Sequence, residues 1–128
     1  MRGELPKLSA REEDVMSVLW KVDKPLTGLG VTEASDGLSH YTVQGVLRNL
    51  LEKGYIEVAD VVYSGKTLSR SYRYVISAEE YAADQFNAMK KTAFNFSALN
   101  FVDNLIKSED ESILDELEEV LNKYKNRG

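Results

Sequence analysis

The chain is 128 residues long, with 16 Lys/Arg against 21 Asp/Glu, a formal net charge of -5, one histidine and no cysteine. That length suits one domain, or a small domain with an oligomerisation segment. The lack of cysteine excludes disulfide frameworks, thiolate zinc sites and cysteine nucleophiles, and with His40 the only histidine a metal site would have to be built almost wholly from carboxylates.

No apolar run approaches the roughly 18 residues that cross a bilayer. The start Met1-Arg2-Gly3-Glu4-Leu5-Pro6-Lys7 leads into a charged helix, unlike a signal peptide. A soluble, cytoplasmic protein without cofactors is therefore expected. The first helix opens on Ser9-Ala10-Arg11-Glu12, a capping box in which hydroxyl and carboxylate satisfy each other's backbone donors. Its apolar stripe is Val15, Met16, Val18, Leu19, Trp20 and Val22, and it ends before Asp23-Lys24-Pro25. The stretch from Leu26 to Leu38 must hold a second helix, which three glycines make short.

The third helix is the most informative. Val43, Val46, Leu47, Leu50 and Leu51 fall at i, i+3, i+4, i+7 and i+8, one buried face. Ser39 caps its start and Gly54 its end. The opposite face presents Tyr41, Thr42, Gln44, Gly45 and Arg48. Two β-branched and aromatic runs follow, Tyr55 to Tyr63 and Arg70 to Ile76, around a polar turn over Ser64 to Ser69, so a hairpin is expected with Lys66 and Arg70 at its tip. A helix with a basic, hydroxyl-bearing outer face that leads into a basic hairpin is the arrangement by which a winged helix binds DNA. An ordinary solvated helix face is the alternative, and the basic hairpin weighs against it.

Further capping boxes, Ser77-Ala78-Glu79-Glu80 and Ser108-Glu109-Asp110-Glu111, mark two later helix starts. Between and after them lie Phe94, Phe96, Leu99, Phe101, Val102, Leu105 and Ile106, then Ile113, Leu114, Leu117, Val120, Leu121 and Tyr124. That is far more apolar surface than isolated helices bury. Since it follows a complete winged unit, the expected partner is a second copy, with Phe94, Leu99, Phe101, Leu105, Ile113, Leu117, Val120 and Leu121 at the dimer core. A cofactor pocket lined by these aromatics is disfavoured, because no convergent polar group accompanies them. The expected architecture is mainly α with a small β-hairpin: a winged helix-turn-helix DNA-binding domain over 1–77, then a helical dimerisation domain over 78–128.

Charge agrees with that division. Residues 1–77 hold ten Lys/Arg and ten Asp/Glu, and residues 78–128 hold six against eleven. Within 39–77 the count is five against three, a local excess of cations. Fields are screened over roughly 8–10 Å at physiological salt, so the distant acid does not cancel this patch.

The chain resembles the penicillinase-repressor family of bacterial winged-helix repressors, the BlaI, MecI and CopY group. The resemblance is carried by Leu8 to Trp20, by Thr42-Val43-Gln44, by Leu50 to Gly54, by Arg70-Ser71-Tyr72-Arg73-Tyr74, and by Leu99-Asn100-Phe101-Val102 with Tyr124-Lys125-Asn126-Arg127. The last pair is similar to the dimerisation segment of the β-lactam-responsive branch. Gly45 stands where the family usually has Thr, and Asn49 where Arg is common. The copper branch's cysteine cluster is absent, which excludes metal sensing by that route.

The resemblance implies a homodimeric repressor of a dyad-symmetric double-stranded DNA operator, with control of a β-lactam or other antibiotic-resistance operon. It also implies a cleavage site between Asn100 and Phe101 for an upstream membrane sensor protease, the alternative being that Phe101 is one more core aromatic and a small-molecule ligand the switch. Thr42 and Gln44 are the candidates for base edges, Gln44 because its amide pairs bidentately with adenine. Arg48, Lys66 and Arg70 are expected on phosphates. Tyr41 either meets the sugar-phosphate backbone or a thymine methyl, or shields the helix start, while Tyr72 and Tyr74 are expected to pack within the wing. The alternative function is a winged-helix protein-interaction module without DNA binding, favoured by the acidic balance. An enzyme is not expected, since neither a nucleophile–base pair nor a phosphate loop is present.

Overall fold

The computed structural model describes residues 4–92 and 97–126. Its elements in order are α1 (Ala10–Val22), β1 (Leu26–Thr27), α2 (Gly28–Ala34), α3 (His40–Lys53), β2 (Ile56–Ser64), β3 (Thr67–Tyr74), α4 (Ala78–Thr92), α5 (Ala98–Ser108) and α6 (Ser112–Lys125). Local chemistry accounts for most of the boundaries. Ser9 Oγ accepts from the Glu12 N–H at 3.2 Å while Glu12 Oε1 accepts from the Ser9 N–H at 2.7 Å, so the first capping box forms. Ser77 and Glu80 build the same reciprocal pair at 3.0 and 3.2 Å. Asp23 and Gly54 close α1 and α3 in the left-handed conformation, at φ 56° and 78°.

Three expectations are corrected. The sheet has three strands in the order β1-β3-β2, not two, because Leu26 and Thr27 pair antiparallel with Tyr72 and Ser71. A strand of two residues is too short to leave a periodic signal. The hairpin turn is also tighter than Ser64 to Ser69: Ser64 pairs with Thr67, so only Gly65 and Lys66 turn, and Gly65 takes φ 69°. Arg70 therefore lies within β3, opposite Val61, rather than at the tip. Finally, Ser108 does not cap the last helix. It ends α5, donating back to Leu105 O at 2.8 Å, and Asp110 Oδ1 accepts the Ser112 N–H at 3.0 Å instead.

By its contacts the chain divides into two units, Met1–Gln85 and Phe86–Gly128. The first has one core, in which Val15, Met16 and Leu19 of α1 and Val31 of α2 meet Val43, Val46, Leu47 and Leu50 of α3, closed by Tyr55, Ile56, Tyr72 and Ile76. Trp20 packs on its rim, donating Nε1–H to Ile76 O at 2.9 Å and stacking on Tyr81 with centroids 5.5 Å apart. Tyr81 donates its hydroxyl to Glu13. Burial, then the Glu13 hydrogen bond, raise the Tyr81 hydroxyl pKa well above the ordinary tyrosine range. The first turns of α4 thus pack against the winged unit's core.

In the second unit Phe86 and Phe101 stack at 4.7 Å between centroids. No described residue of α5 or α6 is buried, and Leu99 is 83% exposed. Leu105, Val120 and Leu121 are exposed, while Ile113 and Leu117 are half-buried. Phe94, expected at the dimer core, and Arg127, of the C-terminal motif, lie outside the described residues. Among the described residues, these two helices thus leave much apolar surface exposed within one chain. Among the described residues no helix is long and apolar enough to cross a membrane.

Candidate nucleic-acid interface

The helix-turn-helix pair is α2 and α3. Thr27 caps α2, accepting the Gly30 N–H at 3.0 Å. The connection passes Gly37 at φ 82° to Ser39, whose Oγ accepts the Thr42 N–H at 3.0 Å and donates to Thr42 Oγ1 at 2.9 Å. Thr42 is therefore half-buried and engaged at the helix start. Tyr41 points away from it and is 90% exposed. One turn further, Gln44 and Arg48 extend from the outward face. Gly45 lies beside them, and a Cβ added there would meet nothing within 4 Å. The position thus needs glycine for no steric reason, and the missing side chain leaves a gap in the outward surface.

Gln44 and Arg48 form one wall of an open groove of about 520 Å³. The other wall is β3, through Leu68 and Arg70, and Gly28 and His40 also line it. The structure thus brings Gln44, Arg48 and Arg70 together, while Lys66 stands apart at the hairpin turn. Alternate residues of a strand share a face, so Leu68, Arg70 and Tyr72 look the same way. Their cross-strand partners Tyr63, Val61 and Val58 join them, all exposed. The groove side of the wing is therefore an apolar ribbon carrying one arginine. Tyr72 itself is buried, and Tyr74 donates its hydroxyl to Asp23 Oδ1 at 2.5 Å, a contact with the end of α1 rather than with the wing.

The cations differ in availability. Arg73, on the other face of β3, is paired with Glu57 at 2.5 Å. No carboxylate pairs with Arg48, Lys66 or Arg70 among the described residues. Two such arginines beside a helix that offers an amide, with Lys66 at the hairpin turn, form a surface for a polyanion with readable edges. Among the described residues no group of three or more His, Asp or Glu is placed to hold a metal ion.

Sequence reasoning missed His40, Thr32 and Gly28. His40 Nε2 lies 3.2 Å from Gln44 Nε2, and His40 Nδ1 lies 3.2 Å from Thr32 Oγ1. A Cβ on Gly28 would stand 2.6 Å from Gln44 Nε2. The i, i+4 spacing of His40 and Gln44 was the available signal. The part played by α2 had none.

Solved structures similar to this chain include the adhesin competence repressor AdcR from Streptococcus pyogenes, at 12% identity over 93% of this chain and 79% of that one, with a TM-score of 0.43. A variant of ZitR from Lactococcus lactis shares 12% identity over 98% and 78%, TM-score 0.44. Staphylococcus aureus MarR in complex with salicylate and kanamycin shares 13% over 91% and 75%, TM-score 0.43. No curated protein sequence matches the chain. The profile of the family described as Penicillinase repressor matches residues 8–123, and the chain belongs to this family of winged-helix transcriptional repressors.

Proposed function

We propose that this repressor acts as a homodimer on a dyad-symmetric operator, each α3 entering a major groove while its wing meets the adjacent backbone. The observation that carries this reading is the convergence of Gln44, Arg48 and Arg70 on one groove, with no carboxylate paired to either arginine among the described residues. Gln44, with Thr42 at the helix start, reads base edges. Arg48, Lys66 and Arg70 hold phosphates, and Tyr41 packs on the sugar-phosphate backbone. Blocking initiation then requires only occupancy of the promoter. An antibiotic-resistance operon is the proposed target.

A titration of salt tests the cations. Arg48→Ala and Lys66→Ala are each expected to weaken binding to all sequences and to lower the slope of log K against log[salt] by about one, because each neutralised phosphate releases condensed counterions. Unchanged slopes in both variants would remove these residues from the interface. The acidic balance of the chain, with Gly45 and Asn49 in place of usual contact residues, favours a protein-interaction module as the second reading. A gel shift on the protein's own promoter region separates the two.

Relief of repression is assigned to a cut between Asn100 and Phe101 by a membrane sensor protease. That bond lies in the first turn of α5, where Ser97 accepts from the N–H groups of Asn100 and Phe101 at 3.2 and 3.0 Å. A helix end opens at low cost, which exposes the bond to a protease. Cleavage there parts Phe101 and α6 from Phe86. Immunoblots of cells treated with inducer are expected to show the full-length band giving way to a shorter one. An intact band throughout derepression would overturn the assignment.

A further inference from the structure

Gln44 is held from behind by a chain of hydrogen bonds whose direction, for a neutral His40 ring, follows from the Thr32 hydroxyl. Thr32 Oγ1 lies 2.9 Å from Gly28 O, and a carbonyl oxygen only accepts, so the single hydroxyl hydrogen of Thr32 goes there. Thr32 Oγ1 must then accept from His40 Nδ1, 3.2 Å away, which places the imidazole proton on Nδ1. In the neutral ring Nε2 is left as an acceptor. The atom facing it at 3.2 Å is therefore the Gln44 amide nitrogen, which donates. One amide hydrogen is committed inward. The second hydrogen and the carbonyl oxygen Oε1 remain for the groove, a donor beside an acceptor, which is the pair that adenine N7 and N6 require. Gly28 makes the arrangement possible, since a Cβ there would collide with the Gln44 nitrogen at 2.6 Å.

We propose that His40 and Thr32 are positioning residues that fix the orientation of the Gln44 amide and so set its preference for adenine. This rests on the reading of Gln44 as a base-contacting residue. An amide without the relay keeps both flip states, one offering Oε1 beside an N–H in the right order and one reversed. It must then be ordered when DNA binds, and ordering one such side chain costs about two- to tenfold in affinity. The reversed state presents its nitrogen where adenine N6 needs an acceptor, and there it suits guanine O6.

The test uses the full chain and duplexes randomised across the operator half-site. Thr32→Val keeps the shape and removes the hydroxyl, Thr32→Ser keeps the hydroxyl, and His40→Ala removes the ring. The parent and Thr32→Ser are expected to prefer adenine equally at the one position that Gln44→Ala affects. Thr32→Val and His40→Ala are expected to lose about three- to tenfold of that preference, at that position alone, and to change nothing further when combined with Gln44→Ala. The side-chain amide resonances of Gln44 in DNA-free protein should move in Thr32→Val and His40→Ala but not in Thr32→Ser.

Three results overturn the proposal. A preference that depends on Gln44 but ignores His40 and Thr32 removes the relay and leaves the DNA reading standing. A uniform loss of affinity at all positions assigns the two residues a merely structural part. Absence of any sequence preference in the parent removes the DNA reading and the relay with it.

Discussion

Ending the chain after Gln85 is expected to yield a folded monomer whose operator affinity is lower by about two to four orders of magnitude, the usual gain from holding two binding modules together. The cut keeps Tyr81 on Trp20 and the hydrogen bond from the Leu5 N–H to Asp84 Oδ1 at 3.2 Å, and so leaves the winged core closed. It removes α5 and α6, whose apolar stripes leave Leu105, Val120 and Leu121 exposed and Ile113 and Leu117 only half-buried within one chain. Each half-site must then be bound independently. A cut after Ile76 would also take away Tyr81 and is expected to lower stability. Sedimentation of the full chain and of the truncated form, with anisotropy titrations of both on one operator, checks the result. A full chain that is monomeric at micromolar concentration would end the dimer reading.

Replacing Glu12 with Ala is expected to destabilise the winged unit by about 2–3 kcal/mol, or roughly 10–20 °C in Tm. Glu12 is buried at the base of α1, yet its carboxylate meets Lys53 Nζ at 2.6 Å and accepts the Ser9 N–H at 2.7 Å. Burial by itself pushes the carboxyl pKa up, but the hydrogen bond and charge of Lys53 and the bonds with Ser9 outweigh it, so the group sits below its ordinary value of 4.5. A carboxyl depressed on folding contributes stability above its unfolded pKa, and that contribution is lost as the pH falls through the folded one. The parent should therefore weaken in acid more steeply than the Ala variant. Lys53 is only partly buried and still donates to Lys7 O at 2.7 Å, which keeps the loss at the lower end for a broken buried pair. Thermal melts at neutral and acid pH measure both effects. An Ala variant as stable as the parent at neutral pH would show that the pair contributes nothing net.

Much of the winged unit is legible in the sequence, because the forces that define its helices act over three or four residues. Ser9 with Glu12, Ser39 with Thr42 and Ser77 with Glu80 satisfy orphan backbone donors wherever the chain is helical. The same four residues of α3 that repeat with helical period, Val43, Val46, Leu47 and Leu50, are the ones buried. Ser108 shows the limit of such patterns. It has the spacing of a cap, but α5 runs through it, and the hydroxyl bonds backward instead.

The candidate site is less legible, for a different reason. Gln44, Arg48 and Arg70 are readable as residue types, but only the pairing of β2 with β3 moves Arg70 from the turn to the groove opposite α3. The strand pair β1–β3 and the contact of Thr32 and Gly28 with His40 and Gln44 join segments whose meeting depends on how α2 docks. The sequence alone thus determined where the first, third and fourth helices start, which faces are apolar, and that the cations gather in the third helix and hairpin, since these follow from local hydrogen bonding and hydrophobic period. Tertiary structure decided which of those cations share a groove and that Thr32 and Gly28 of α2 stand against His40 and Gln44. Both depend on backbone groups brought together across the chain, and no local pattern encodes that approach.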